Sequence, residues 1–194
     1  MENISEACEA GLVIAVSGPP GSGKTSLAKR LARKLGLKYL SLGGIFRELA
    51  QERKITLEEL SRIAEEDASI DKAIDDKAIE EASKGCIVVD GHISAWTLEN
   101  TAHLKVLVMA PIKVRAERIA RRDGKSFEDA LAEIRVREES EGRRFMKFYG
   151  INISDVSVFD LVVNSGKFNE EEVLKIVMSA VSILLRKIRR CRKT

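Results

Sequence analysis

The sequence predicts an α/β chain built on a five-stranded parallel sheet with helices on both faces. Three observations predict it. Five short apolar runs alternate with stretches of helical periodicity, the pattern of strands buried between helical layers. A glycine-rich stretch, "SGPPGSGKT" (17–25), directly follows the first run and opens the first helix. Two helical blocks, 45–84 and 112–150, are longer than simple crossovers and read as flaps over one edge of the sheet.

In chain order, "LVIAVS" (12–17) is apolar and bounded by Gly11 and Gly18, which gives a buried strand. Helical spacing runs from Lys24 to Leu35 and closes at Gly36. "KYLSLGG" (38–44) is a second strand ending in a glycine turn, and from Ile45 to Lys84 the pattern is helical throughout, with Thr56 and Glu59 as a capping box. "CIVVD" (86–90) and "LKVLVMA" (104–110) are further strands, the latter stopped by Pro111. A helix over 112–122 breaks at Asp123-Gly124, and Ser126 with Asp129 opens a long charged helix towards Tyr149. "DLVVNS" (160–165) is the last strand. Asn169 and Glu172 cap a final helix with Val173, Val177, Val181 and Leu185 on one face.

Composition bounds the function. A chain of 194 residues, 44% hydrophobic and 32% charged, makes one globular domain with a core of its own. The longest apolar runs fall far short of the roughly 18 residues a membrane span needs. The opening "MENISEACEA" carries three glutamates and no basic residue, unlike an export signal, so a cytoplasmic protein is expected. Cys8, Cys86 and Cys191 are odd in number and form no CxxC pair, so they read as unpaired thiols, with neither a disulfide framework nor a zinc site. The net charge of +3 is too mild to imply nucleic acid. Basic side chains nevertheless concentrate at 113–122 and 186–193.

The strongest motif is the glycine-rich stretch. Gly18, Gly23, Lys24 and Thr25 fit G-x-x-x-x-G-K-[ST] between a strand and a helix, the context that gives the pattern meaning. Gly18, Pro19, Pro20, Gly21, Ser22 and Gly23, with Ser26 at the helix start, form a loop whose N–H groups face phosphate oxygens. Lys24 is placed to reach the β- and γ-phosphates of ATP, and the Thr25 hydroxyl to ligate Mg²⁺.

Other segments bear on the acceptor. Ser41 and the glycines after it make a turn, and Arg47, one helical turn beyond, can take a phosphate with its fork. Asp90, at a strand end beside the phosphate loop, is placed to hold Mg²⁺ directly or through water. Arg115, Arg118, Arg121, Arg122, Arg135, Arg137, Arg143 and Arg144 flank the Asp123-Gly124 break, as in a lid that carries positive charge over phosphates. No Ser-His-Asp set and no metal-ligand cluster is visible. Transfer onto an acceptor that is already an anion needs positioning and charge neutralisation rather than a base.

These residues resemble the nucleoside monophosphate kinases, and among them the archaeal type of cytidylate kinase. The similarity runs from about 12 to 185 through "SLGGIFRELA" (41–50), "VVDGHISAW" (88–96), "APIKVRAERIARRDGKS" (110–126), "REESEGRRFMKFYGIN" (137–152) and "DLVVNS". The resemblance implies a three-layer P-loop NTPase-type fold in one domain, with a core of about 11–41, 85–120 and 151–190. It adds a monophosphate-binding flap of about 42–84 and a short arginine-rich lid of about 121–144. It implies ATP- and Mg²⁺-dependent phosphorylation of CMP and dCMP by a monomer whose partners are nucleotides, not membrane or nucleic acid. Lys24, Arg118, Arg122, Arg137 and Arg144 would surround the transferring phosphoryl group. Ser41, Gly43, Arg47, Asp90, Gly91 and His92 would face the acceptor nucleotide, with Thr25 and Asp90 serving Mg²⁺.

One departure stands out. The family usually reads Gly-Arg where this chain has Gly91-His92, and in similar bacterial enzymes that arginine lies close to the cytosine base. An imidazole there removes donors from the acceptor pocket. Two alternatives remain open at the sequence level. One is a kinase for another monophosphate or small metabolite. The other is an ATP switch that touches RNA or a ribosomal partner through "RKIRRCRKT" (186–194).

Overall fold

A computed structural model describes residues 2–191. Strands β1 (Val13–Ser17), β2 (Lys38–Ser41), β3 (Ile87–Asp90), β4 (Leu104–Met109) and β5 (Leu161–Asn164) form one sheet in the order β2-β3-β1-β4-β5. Every pairing is parallel. The helices are α1 (Glu2–Glu9), α2 (Lys24–Leu35), α3 (Leu42–Glu52), α4 (Leu57–Glu66), α5 (Ala68–Ser83), α6 (Ser94–Thr97), α7 (Ile112–Asp123), α8 (Phe127–Tyr149) and α9 (Glu170–Cys191). This is the α/β three-layer arrangement expected from the alternating pattern. Among the described residues no helix is long and apolar enough to cross a membrane.

Strand β1 shows why the sheet needs both layers. All five of its residues are buried, and successive side chains point to opposite faces. Ile14 and Val16 join Leu27 and Leu31 of α2 and Val177 and Val181 of α9 on one side. Val13 and Ala15 join Leu60 of α4 and Ala78 and Ala82 of α5 on the other. Each large aliphatic side chain so buried contributes roughly 1.5–3 kcal/mol. A smaller cluster, Ala116, Ile119, Ala130 and Ile134, closes α7 onto α8.

The predicted boundaries hold at α2, whose Gly36 cap has φ 64°, and at the Gly124 break, φ 65°. Two readings needed revision. The glycine turn after β2 is the first turn of α3, because the Ser41 hydroxyl accepts from Gly44 N–H and caps a helix there. The helical block 45–84 is three helices: the Thr56 capping box opens α4 as expected, whereas the break at Asp67, which caps α5 through Ser69 N–H, went unpredicted. Helices α1 and α6 went unpredicted. The first is short and acidic, and the second is a single turn.

The cysteine reading is overturned. Cys8 and Cys86 form a disulfide across 78 residues of sequence, with Cα atoms 4.7 Å apart. Parity and spacing could not show it, because the pair exists only once α1 packs beside the amino-terminal end of β3. The backbones meet closely there: a Cβ on Gly85 would lie 3.1 Å from Gly11 Cα. Arg192, Lys193 and Thr194 of the basic end lie outside the described residues, whereas Arg189 pairs with Glu6 of α1.

Candidate active site

The carboxyl ends of β2, β3, β1 and β4 line one edge, and the strand order switches direction at β1, where α/β sheets bind ligands. Register places Asp90 of β3 between Ser41 of β2 and Val16 of β1. The loop 18–23 leaves β1 at this point.

Two glycines make that loop possible. A Cβ on Gly18, φ 152°, would lie 2.3 Å from the Val108 carbonyl oxygen, and one on Gly21, φ 76°, would lie 2.7 Å from that of Arg115. The loop is braced from behind. Arg115 Nη1 donates to the Pro20 carbonyl at 3.0 Å and pairs with Glu138 of α8 at 2.6 Å, while its Nε donates to Ala110 O. Arg115 therefore ties loop, β4 exit and α8 together.

Lys24 is half-buried where the loop enters α2, with Nζ 3.4 Å from the Pro19 carbonyl. Burial pulls its ammonium below the usual lysine value, an effect that Asp90 and Glu141 oppose. Phosphate oxygens would supply the counter-charge this site is built to receive. Arg137 and Arg47 also act on Lys24 electrostatically, so both face the same region.

Asp90 is the junction of the site. Its Oδ2 accepts from Thr25 Oγ1 at 2.8 Å, from Tyr39 OH at 2.9 Å and from Ser41 Oγ at 3.3 Å. Donor loop, β2 and the cap of α3 thus meet on one buried carboxylate oxygen. Burial, then Asp90, pushes the Tyr39 hydroxyl up to about 12, which keeps it a donor. Among the described residues no group of three or more His, Cys, Asp or Glu could hold a metal. The adjoining Thr25 and Asp90 oxygens fit Mg²⁺ all the same. That ion takes hard oxygen ligands, keeps several waters and borrows phosphate oxygens rather than needing an all-protein cage.

Gly91 follows Asp90 at the end of β3. A Cβ there would lie 2.7 Å from Leu42 Cδ1, so glycine lets α3 start against the end of β3. Gly43 and Arg47 are exposed on α3. His92 Nδ1 makes a short hydrogen bond with Glu141 Oε2 of α8, and its ring meets Phe145 edge-on at 5.8 Å. Burial alone would raise the Glu141 carboxyl. His92, Arg137 and Lys24 together outweigh it and hold the group at about 2.

The arginines divide. Arg137 lies 3.5 Å from Glu141 and faces Lys24. Arg118 donates to Ser165 Oγ at 2.9 Å and to Ser165 O at 2.6 Å. It borders a cavity of about 60 Å³ with Gly23, Leu27 and Phe168. Arg122, on the exposed end of α7, forks onto Asp123 at 2.6 and 2.7 Å. Arg144 is buried against Asp71 of α5, with Nε 3.0 Å from Oδ2. Tyr39, Asp71, Glu141 and Ser165 were missed. Tyr39 was findable, since it stands two residues before Ser41 and a strand puts such residues on one face.

Comparison with known proteins follows the same lines. Residues 13–167 match the cytidylate kinase-like family. A cytidylate kinase of Staphylothermus marinus is 46% identical over 175 residues, covering 90% of this chain and 99% of its own. One of Aeropyrum pernix is 48% identical over 163 residues, covering 84% and 95%. Among solved structures, shikimate kinase from Bacteroides thetaiotaomicron superposes with a TM-score of 0.59 at 16% identity, covering 88% of this chain and 98% of its own, a likeness of fold.

Proposed function

The chain belongs to the cytidylate kinase-like family, and on that footing we propose that it is a nucleoside monophosphate kinase transferring the γ-phosphoryl group of ATP to the phosphate of CMP, and of dCMP. One observation carries the reading. A single carboxylate oxygen of Asp90 joins Thr25 of the phosphate loop to Ser41, the cap of the helix bearing Arg47. Donor and acceptor machinery are therefore built against each other, as transfer between two bound phosphates requires.

An acceptor phosphate oxygen attacks the γ-phosphorus, the bond to the ADP oxygen breaks, and no proton must first be removed. The residues position and neutralise. The loop N–H groups and Lys24 hold the β- and γ-phosphates, and Arg137 meets the transferring group. Arg47, with Ser41 and Gly43, takes the acceptor phosphate beside Gly91 and His92. Arg118 with Phe168 bounds the cavity for the donor nucleoside. Arg122 reaches phosphate only when the hairpin of α7 and α8 moves, which makes about 121–144 the lid and about 42–84 the flap. Thr25 and Asp90 would hold Mg²⁺, which would supply neutralisation of phosphate charge. The protein acts in the cytoplasm as a monomer on nucleotides alone. A disulfide inside a cell is the habit of hyperthermophilic archaea.

Coupled ADP-release assays with CMP, dCMP, UMP and AMP test this. CMP and dCMP are the expected substrates, and Lys24→Ala abolishes turnover while leaving the fold intact. No turnover with any monophosphate would sink the kinase reading. Preference for UMP or AMP would sink the cytidylate assignment alone.

A further inference from the structure

Arg144 and Asp71 are the anomaly of the interior. Their side chains are 5% and 10% exposed, and they form an ion pair across the seam between α8 and α5. Yet Arg144 Nε and Nη1 and Asp71 Oδ2 are buried without a hydrogen-bond partner. The 3.0 Å approach brings the charges together without hydrogen-bond geometry. Charged groups are rarely left so incomplete in an interior unless something else completes them. The transferring phosphoryl group is a poor candidate, since it would sit against the Asp71 carboxylate.

The surroundings suit a flat ring. The guanidinium lies 5.5 Å from the Phe46 ring and 5.6 Å from the Phe145 ring. Phe46 adjoins Arg47 on α3, so the rings around this pair and the proposed site for the acceptor phosphate share one helical turn. One turn further along α5 the seam opens into a groove of about 730 Å³ lined by Asp75, Trp96 and Tyr149. Beside the seam, α8 is held to α4, where Lys147 Nζ donates to Glu65 O and Arg143 pairs with Glu65 at 3.4 Å. These contacts are exposed and weak enough to part.

We propose that Asp71 and Arg144 read the pairing edge of the acceptor's base and select cytosine over uracil. Cytosine presents an amino donor at position 4 beside two acceptors, N3 and O2. A carboxylate accepts from the amino group, as Asp and Glu do from cytosine in nucleic acids, while a guanidinium donates to N3 and O2. Uracil reverses the first two positions. Its O4 would face the carboxylate and its N3–H the guanidinium, leaving both buried charges worse off than before. Sites that hydrogen-bond a substrate group reject the analogue lacking it far more strongly than apolar pockets can. This assignment rests on CMP being the acceptor, and it removes Arg144 from the ring around the transferring phosphoryl group.

The test uses the full chain with CMP, UMP and the CMP analogue bearing hydrogen in place of the 4-amino group. Wild type is expected to favour CMP over UMP by about 100-fold in kcat/KM and over the analogue by about tenfold. Asp71→Asn, whose amide can donate to O4, should lower the CMP/UMP ratio in kcat/KM about tenfold, by raising KM for CMP and lowering it for UMP. Equal use of CMP and the analogue by wild type overturns the proposal, and that comparison stands even if the variant fails to fold. So does a variant that loses kcat with its base ratio unchanged, which is the signature of a phosphate role. Inactivity of wild type towards every monophosphate refutes instead the kinase reading beneath it.

Discussion

Replacing Cys8 with serine opens a covalent loop that holds the phosphate loop, β2 and all of α3, α4 and α5. The bridge joins positions 78 apart in sequence. For a loop of that size the chain-entropy relation gives about 4.5 kcal/mol at 25 °C, chiefly by restricting the unfolded chain. In a protein of this length one kcal/mol moves the melting temperature by about 2–4 °C, so the variant should melt roughly 9–18 °C lower. Activity at 25 °C should be unchanged, because the bridge lies at the amino-terminal end of β3 and Asp90 at the other. The assay is calorimetry of oxidised wild type, reduced wild type and Cys8→Ser, with thiol titration to confirm each state. The reduced protein and the variant should melt together. Melting of all three within about 2 °C would refute the reasoning, and a fall in kcat matching the loss of the bridge would show that it serves the flap hinge instead.

Three other outcomes follow from the site. Tyr39→Phe removes one of three hydroxyls on Asp90 Oδ2 and should raise the Mg²⁺ concentration for half-maximal activity several-fold, with KM for CMP little changed; Mn²⁺ titration of the ATP complex reads the same shift without turnover. Glu141, held at about 2 against an ordinary value of 4.5, stabilises the fold fully above pH 4.5 and loses that contribution as pH falls towards 2, on the order of 3 kcal/mol. Asp71, raised to about 6 first by burial, acts oppositely between about pH 6 and 4 in both proteins. The urea midpoint of Glu141→Gln should therefore lie below that of wild type above pH 4.5 and converge with it towards pH 2, and parallel profiles would contradict the account. Arg115→Ala strips the brace from the Pro20 carbonyl and leaves Glu138 unpaired, and should cost about 3 kcal/mol of stability and raise KM for ATP.

What the chain declared openly was local. The phosphate loop was legible because Gly18, Gly23, Lys24 and Thr25 must stand at fixed spacing between a strand and a helix. The helix ends at Gly36, Thr56, Ser126 and Asn169 were legible because caps act within three residues. Meetings between distant segments left no such trace. Asp71 reads as one more acid on a polar helix, and only the packing of α5 on α8 buries it against Arg144. Glu141 was hidden among the charges of α8, and nothing in the spacing shows that it meets His92. The arginine-rich segment was read as one group and not sorted, because spacing cannot distinguish a brace such as Arg115 from a residue such as Arg137 that faces Lys24.

Helix α8 carries Arg137, Glu141 and Arg144 within eight residues, about 10 Å of rod. On the assignments above, Arg137 serves the donor's phosphate and Arg144 the acceptor's base. A rigid helix cannot adjust one end and keep the other still, so any tilt or roll that admits one nucleotide also resets the berth of its partner. The two substrates are thereby geared together. Occupancy by the right base is transmitted to the phosphoryl end as alignment, and a wrong base is penalised in rate as well as in affinity.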